Sequence, residues 1–385
     1  MMKKKDSNAL FLLIVVLFWF AQYIFVPFLT PHLAAMGVAA SVSGVILGAY
    51  GFSQLVLRIP VSVSEDCLGR HRLYMGCGLL AVVIGSSLPM LFDSPAAYLI
   101  SRTLAGVGAS TWVSFTVAFT GGYPDVKQRM GRLVACNNLG ILLSYLVSGV
   151  LYQQLGMKPL FGISACVAVI ALLILPLAQK GGSSGTHPFQ IRDLWDVLKN
   201  RHLLTCSLLC ALTQLINFAT AMSFVSTYAQ QRGAGGFALS LVAIAFYVAG
   251  TAASAVYGKG VFSRMSDRTF MAMGFGTFAL YCLMLPLCKS IWMILIAQLL
   301  GGMSRTLLYT QQMALCTQTV KPEQKTTAVG VFQSIYSLGM TVGPVVMGWV
   351  LEWTGNDYPT AFVCISAFAI AGVIWALIAL PKEKA

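Results

Sequence analysis

Three arginines, Arg58, Arg102 and Arg305, stand inside long apolar runs, and no aspartate or glutamate lies near the middle of any such run. A guanidinium stays charged at every physiological pH. Buried among apolar groups it is costly, so each of these residues is a candidate partner for an anion or for a polar neighbour. Arg305 lies fourteen residues after Ile291, about 21 Å along a helix that rises 1.5 Å per residue. Tyr309 and Gln312 continue its face at helical spacing. Arg102 follows Ala96 by six residues, a depth of about 9 Å by the same rise. Arg58 is close to the end of its run, where a long side chain is expected to snorkel towards water. Further polar positions interrupt other runs: Gln22; Thr213, Gln214, Asn217 and Thr220; and Asn137, Asn138, Tyr145 and Ser148. Together they outline a moderately polar, net positive chamber, which suits an anionic or neutral organic solute better than a polyamine or a metal cation.

Charge is concentrated again in the stretch RIPVSVSEDCLGRHR, residues 58–72, where Glu65, Asp66, Arg70 and Arg72 crowd between apolar flanks. Basic residues hold a short loop on the cytoplasmic side of a membrane. That rule accounts for Arg70 and Arg72 and leaves the two acids unexplained. A carboxylate near a helix N-terminus gains from the macrodipole, so Asp66 is expected to latch onto the start of a helix from elsewhere in the chain, with Arg70 and Arg72 in the same charge network.

Other chemistries lack their residues. No G-x-x-x-x-G-K-[ST] loop is present to hold a nucleotide, which argues against a primary pump. There is no H-E-x-x-H, and His32, His71, His187 and His202 fall at the ends of runs or in loops, so no convergent catalytic set is expected. The GGSSG at 181–185 satisfies G-x-S-x-G, yet no strand precedes it and no helix opens there. The ten cysteines show no metal-ligand spacing, and Cys206 with Cys210 reads as small apolar filler. Neither a cofactor, a metal nor catalysis is expected.

The elements that must position these residues follow from composition. Apolar residues make up 57% of the 385 and charged residues 10%, against about a quarter charged in a typical soluble domain. Water is not the solvent for most of this chain. The apolar material falls into twelve runs: 9–29, 42–63, 73–92, 96–120, 131–154, 158–178, 203–230, 237–258, 269–288, 291–318, 328–351 and 358–381. Each is long enough to cross a ~30 Å hydrocarbon layer as a helix. Helices are required because a lipid-exposed backbone must satisfy its own hydrogen bonds, and the ten-residue alternation of a β-barrel is absent. The first run opens like a secretory signal, MMKKK before apolar residues, but is too long and lacks an A-x-A site; it is expected to stay as a helix.

With the N-terminus in the cytoplasm, nineteen loop lysines and arginines fall on that side and only Lys158, Arg232 and Lys289 on the other. This positive-inside bias predicts an even number of spans with both termini cytoplasmic. The net charge of +13 then faces anionic lipid, and nucleic acid need not be invoked.

The runs group into two halves. Residues 1–179 are expected to form one six-helix bundle and 203–385 a second. The connector 180–202 is glycine- and serine-rich at first and then amphipathic through Phe189, Ile191, Leu194, Trp195 and Leu198. Span 5 and span 11 repeat: Gly131, Gly140, Gly149 and Gly156 match Gly330, Gly339, Gly348 and Gly355 at one offset of 199. Parallel duplication of six spans is a recurring plan for carriers.

In that frame the stretch at 58–72 is the turn between spans 2 and 3, and it resembles the G-x-x-x-D-R-x-G-R-R signature of the major facilitator superfamily. Asp66, Gly69, Arg70 and Arg72 occupy matching positions, Ser62 replaces the first glycine and Cys67 the first arginine. The RIP at 58–60 is similar to the form found in drug-exporter-like members. RTLAGVGAS in span 4 is similar to the family's R-x-x-x-G-x-G pattern, and GMTVGPVVMG in span 11, with Gly343 and Pro344, resembles its G-x-x-x-G-P-x-x-x-G element. That element is best known from span 5 of antiporting exporters, where this chain has Ser144 and Tyr145. The resemblance implies an all-α membrane protein of twelve transmembrane helices in two pseudo-symmetric six-helix bundles, monomeric in the inner membrane. It implies a secondary transporter working by rocker-switch alternating access, in which the loop at Asp66 stabilises the outward-open state. Spans 1, 4, 7 and 10 would surround the cavity, which favours Gln22, Arg102, Gln214, Asn217 and Arg305 as substrate contacts, with Tyr309 and Asn137 beside them. The implied activity is proton-coupled efflux of a small solute; uptake or exchange of an organic anion and a transporter-like sensor are the alternatives.

Overall fold

The computed structural model describes residues 4–121, 126–178, 191–262, 264–318, 320–321 and 324–380. Among them, eleven helices are long and apolar enough to cross a bilayer singly. The remaining span, the fourth, is made of two helices, Pro95–Ser110 and Trp112–Thr120, stacked end to end at Thr111. Thr111 Oγ1 donates to the Gly108 carbonyl at the break, one of the freed backbone acceptors that a helix interruption must satisfy. Twelve spans in two six-helix bundles result.

Span 1 comprises Lys4–Tyr23 and Val26–Ala35, broken where Pro27 enters the first turn of the second piece. Spans 2 and 3 are Ala40–Leu68 and His71–Leu91, separated by Gly69 at φ +60°, the left-handed conformation that ends a helix. Spans 5 and 6 are Val126–Leu155 and Met157–Ile174. A short helix, Ile191–Leu198, precedes span 7; it buries Val197 and leaves Trp195 exposed. The connector between residues 179 and 190 lies outside the described residues.

Span 7 runs as Arg201–Ala219, a π turn Thr220–Phe224 and Val225–Gln231. Spans 8 to 12 are Gly236–Gly258, Asp267–Met284, Ile291–Gln318, Lys325–Trp353 and Tyr358–Ala379. Span 7 is the most enclosed, with 89% of its central window buried. It packs against spans 10, 11 and 12 and so forms the pillar of the second bundle.

The two bundles meet chiefly along spans 2 and 11, and secondarily along spans 5 and 8. Small residues permit the approach, as expected where apolar surface gives helices no reason of its own to associate in lipid. A Cβ on Gly44 would overlap the Pro344 carbonyl, and one on Gly348 the Ala40 carbonyl. On the other seam Gly149 abuts Ser240 and Gly236 abuts Gln153. All these contacts lie towards the side away from the basic loops, where Thr30 Oγ1 of span 1 also donates to the Ser223 carbonyl of span 7 at 2.6 Å. Towards the basic side, Gly131 and Gly258 have open space around them. On the far side, spans 2 and 11 therefore meet through their backbones, and spans 5 and 8 through glycines packed on Ser240 and Gln153.

Candidate functional site

Arg102 is 6% exposed. Its Cζ lies 4.6 Å from the centroid of the Tyr50 ring. Its Nε is buried without a hydrogen-bond partner among the described residues. Arg305 repeats the arrangement on span 10, with Cζ 5.2 Å from the Tyr309 ring and Nε again without a partner. Stacking on an aromatic face stabilises a cation by roughly 0.5–2 kcal/mol, whereas removing an ion from water costs several kcal/mol. The Tyr50 ring therefore does not compensate for the burial of Arg102, and among the described residues no carboxylate is hydrogen-bonded to either guanidinium.

Tyrosines join the two arginines. The Tyr145 ring of span 5 and the Tyr247 ring of span 8 meet edge to face at 5.6 Å across the bundles, and Tyr23 of span 1 touches both at 6.3 and 6.4 Å. Arg102 is in electrostatic reach of Tyr23, Tyr50 and Tyr145. Arg305 reaches Tyr247 and Tyr309. The Tyr145 hydroxyl has no hydrogen-bond partner. The result is a cluster of tyrosine rings that links the surroundings of the two guanidinium groups.

Arg58 does not snorkel. It is 3% exposed, and its Nη1 donates across the bundle interface to Gln333 Oε1 at 2.6 Å and to the Tyr336 hydroxyl at 2.9 Å on span 11. Nη2 donates to Gln54 Oε1 at 2.5 Å. Span 11 covers this end of span 2, so the side chain is held by the facing helix and has no water to reach.

The other candidates divide. Gln214 and Asn217 are 1% and 2% exposed on span 7, joined by an Asn217 Nδ2 to Gln214 Oε1 hydrogen bond of 3.1 Å. Phe218 beside them stacks on Tyr50 at 6.1 Å, which brings this face of span 7 to the ring beneath Arg102. Gln22 instead donates to the Ala105 carbonyl at 3.0 Å, in a niche between spans 1, 3 and 4 that Val82 and Ser86 also line. Asn137 is half-buried on span 5 and makes no hydrogen bond to a described residue. Gln312 is bound by Thr213 of span 7 at 3.0 Å.

Of the residues expected to gate, Gly343 lies against the Leu215 carbonyl of span 7 and Pro344 against Gly44 of span 2, so span 11 is wedged between them. Gly69 donates its N–H to the Glu65 carbonyl at 2.8 Å. Arg70 is exposed, and Arg72 donates to the Ala178 carbonyl at the end of span 6. The Asp66 side chain lies outside the described residues. Its neighbour Glu65 is 1% exposed, bonded to His71 and, at 2.7 Å, to the Ser114 hydroxyl of span 4.

Sequence reasoning did not single out Tyr23, Tyr50 and Tyr247, which pack in this cluster, because tyrosine in an apolar run is unremarkable by itself. It also passed over a repeat that marks the two arginines as a pair: Ser101-Arg102-Thr103-Leu104 in span 4 recurs as Ser304-Arg305-Thr306-Leu307 in span 10.

Comparison with known proteins places this architecture. The chain is 20% identical over 365 residues to an uncharacterised MFS-type transporter, MJ1560, of Methanocaldococcus jannaschii, covering 90% of this chain and 92% of the relative. It is also 20% identical over 383 residues to the proton-coupled antiporter flippase LtaA of Staphylococcus saprophyticus, covering 97% and 95%. Among solved structures, the nucleoside transporter NupG superposes with a TM-score of 0.78 at 13% identity over the full length of both chains. A bacterial homologue of the human lysosomal transporter Spinster, inward-facing and unoccupied, gives 0.74 at 14%, covering 99% and 96%. The family model described as Major Facilitator Superfamily matches residues 11–259 and 207–385, and the chain belongs to that family.

Proposed function

We propose that the protein is a secondary transporter that carries a small organic anion, or an amphipathic solute with an anionic group, through the chamber between Arg102 and Arg305. The observation that carries this reading is the pair of guanidinium groups, stacked on Tyr50 and Tyr309, without a hydrogen-bonded carboxylate among the described residues. Alternating access needs one seam to open as the other shuts. The glycine contacts at Gly44 and Gly348 supply the far-side closure, and the Arg58 contacts to Gln333 and Tyr336 are the ones that part on the basic side. Gly343 and Pro344 form the pivot between spans 2 and 7, and the loop of Asp66, Gly69, Arg70 and Arg72 trims the equilibrium. In this reading the protein works as a monomer in the cytoplasmic membrane with both termini inside.

Proton-coupled efflux is the direction supported by the likeness to a protein described as a proton-coupled antiporter, and Glu65 with His71 offers a buried protonatable pair. Exchange of one anion for another is the second reading, favoured by the lack of a carboxylate bonded to either chamber arginine among the described residues. Purified protein in liposomes tests both. Saturable flux of a labelled organic anion driven by a pH gradient supports the first, flux that requires an anion on the opposite side supports the second, and no flux of any anion under either condition overturns the proposal.

A further inference from the structure

Span 7 presents a second recognition element to the chamber. Cys210, Gln214 and Asn217 recur at i, i+4 and i+7 and so share one face of the helix. One flank of that face is closed, since Ala211 and Leu215 meet Gly339 and Gly343 of span 11 through their backbones. The other flank is closed by the Thr213 to Gln312 bond to span 10. What remains points between spans 10 and 11, where Cys210 is in electrostatic reach of Arg305 and Phe218 covers the Tyr50 ring that carries Arg102.

Both amides are more than nine-tenths buried, and their single mutual hydrogen bond leaves Gln214 Nε2 and Asn217 Oδ1 without partners. The complement does not depend on which way the amides are turned. If both are flipped, Gln214 Nε2 donates to Asn217 Oδ1 and leaves one free oxygen and one free nitrogen on the opposite residues. Either way the face offers one donor and one acceptor side by side. Leaving such groups unsatisfied costs about 1–3 kcal/mol each, so a ligand that pairs with both gains that energy on binding. A carboxylate would satisfy only the donor, and an alcohol would satisfy both only through one atom.

We propose that the transported anion carries an amide edge, a carbonyl beside an N–H as in an N-acyl amino acid, a ureido acid or a lactam carboxylate, and that Gln214 and Asn217 read this edge while Arg102 or Arg305 holds the acid. The inference rests on the organic-anion reading above and adds a specificity element to it.

The test is thermal stabilisation of the purified protein by matched anions: N-acetyl and N-carbamoyl amino acids and pyrimidine carboxylates, each beside its ester or N-methyl isostere. The expected result is tighter binding of amide-bearing anions, by roughly 10- to 100-fold over the isosteres. Of Gln214→Leu and Asn217→Leu, the one that removes the acceptor abolishes this preference, while the one that removes the donor weakens amides and isosteres together, since both keep the carbonyl. Equal binding of amides and isosteres by the unmodified protein overturns the amide inference and leaves the anion reading standing. Failure of every anion to bind, or anion binding that survives both Arg102→Ala and Arg305→Ala, overturns the anion reading and this inference with it.

Discussion

Arg58 Nη1 on span 2 donates to Gln333 Oε1 on span 11 at 2.6 Å, a buried charge-assisted hydrogen bond between the two bundles. Such bonds are roughly twice as strong as neutral ones, and the same guanidinium also binds Tyr336 and Gln54. The contact therefore fixes the register of the main seam and must break for that end to part. Replacing Gln333 with leucine removes the 2.6 Å acceptor and leaves a buried cation short of a partner, at a cost of about 1–3 kcal/mol. The expected outcome is a lower melting temperature and a broader span 2 to span 11 distance distribution between spin labels on the basic side. An unchanged distribution would deny Arg58 a gating role.

The two chamber arginines are expected to respond differently to lysine and to methionine. Lysine keeps the charge and loses the planar group that lies over Tyr50 or Tyr309. With roughly 0.5–2 kcal/mol attached to stacking, Arg102→Lys and Arg305→Lys should weaken anion binding about 2- to 30-fold. Methionine removes the charge as well and should abolish binding; at Arg102, which is buried, it should also raise stability, because an uncompensated buried ion is gone. Titration calorimetry with an anion that binds the unmodified protein separates these outcomes.

Much of this was legible in the sequence, for physical reasons. A bilayer imposes one length and one backbone solution, so the twelve apolar runs located the twelve spans, and the scarcity of charge made Arg102 and Arg305 stand out. What stayed hidden depended on rotation and partnership. Gln22 and Gln214 look alike as polar residues within spans, and each keeps one amide atom unpartnered, yet the first is tied to the Ala105 carbonyl of span 4 and the second to Asn217 on its own helix. Arg58 looked like a terminal residue because nothing in its own helix reveals that span 11 covers it. The break at Thr111 was likewise invisible, since no proline or glycine stands at that position and WVSFTVAFT reads on as helix.

Gly44 tests the far-side closure. A side chain there would enter the space of the Pro344 carbonyl, which is backbone and cannot swing aside. Gly44→Val should therefore hold spans 2 and 11 apart at this end, while Gly37→Val, where nothing lies within 4 Å of the new Cβ, bears only its own backbone strain at φ +75°. Maleimide labelling of a cysteine placed at Ser41 is expected to rise several-fold in the Gly44 variant only. Equal labelling in both would mean that the packing at Pro344 does not set the closure.

Glu65 is predicted to hold three helix ends together. It ties the end of span 2 to His71 at the start of span 3 and to Ser114 in the second helix of span 4. Ser114→Ala removes one neutral donor from a buried carboxylate and should cost about 1.5–3 kcal/mol, the range for hydrogen bonds to charged groups. Glu65→Gln should cost less, because it retains an acceptor and no longer buries a charge. If transport is proton-coupled through this pair, Glu65→Gln also loses the dependence of flux on the pH gradient while Ser114→Ala keeps it. Flux that follows the gradient equally in both variants would exclude Glu65 from coupling.

On the far side, Asp93 gathers His32, Tyr98 and Lys158, the ends of spans 1, 4 and 6, into one cluster. Tyr98 donates to Oδ1 at 2.8 Å, His32 Nε2 lies 3.2 Å from the same oxygen, and Lys158 Nζ is 3.7 Å from Oδ2. Partial burial alone would raise the Asp93 carboxyl, but these hydrogen bonds and charges outweigh it and hold the group below its ordinary value of 3.8. A carboxyl depressed in the folded state contributes stability that is present above the unfolded value and is lost as the pH falls through the folded one. The cluster is partly exposed, so the contribution is below about 1 kcal/mol. Asp93→Asn should accordingly lower the melting temperature slightly at pH 7. Its effect should fade as the solution is taken below pH 3.8, where the unmodified protein loses the same bonds by protonation. A difference between the two proteins that persists undiminished in acid would show that Asp93 acts through packing and not through its charge.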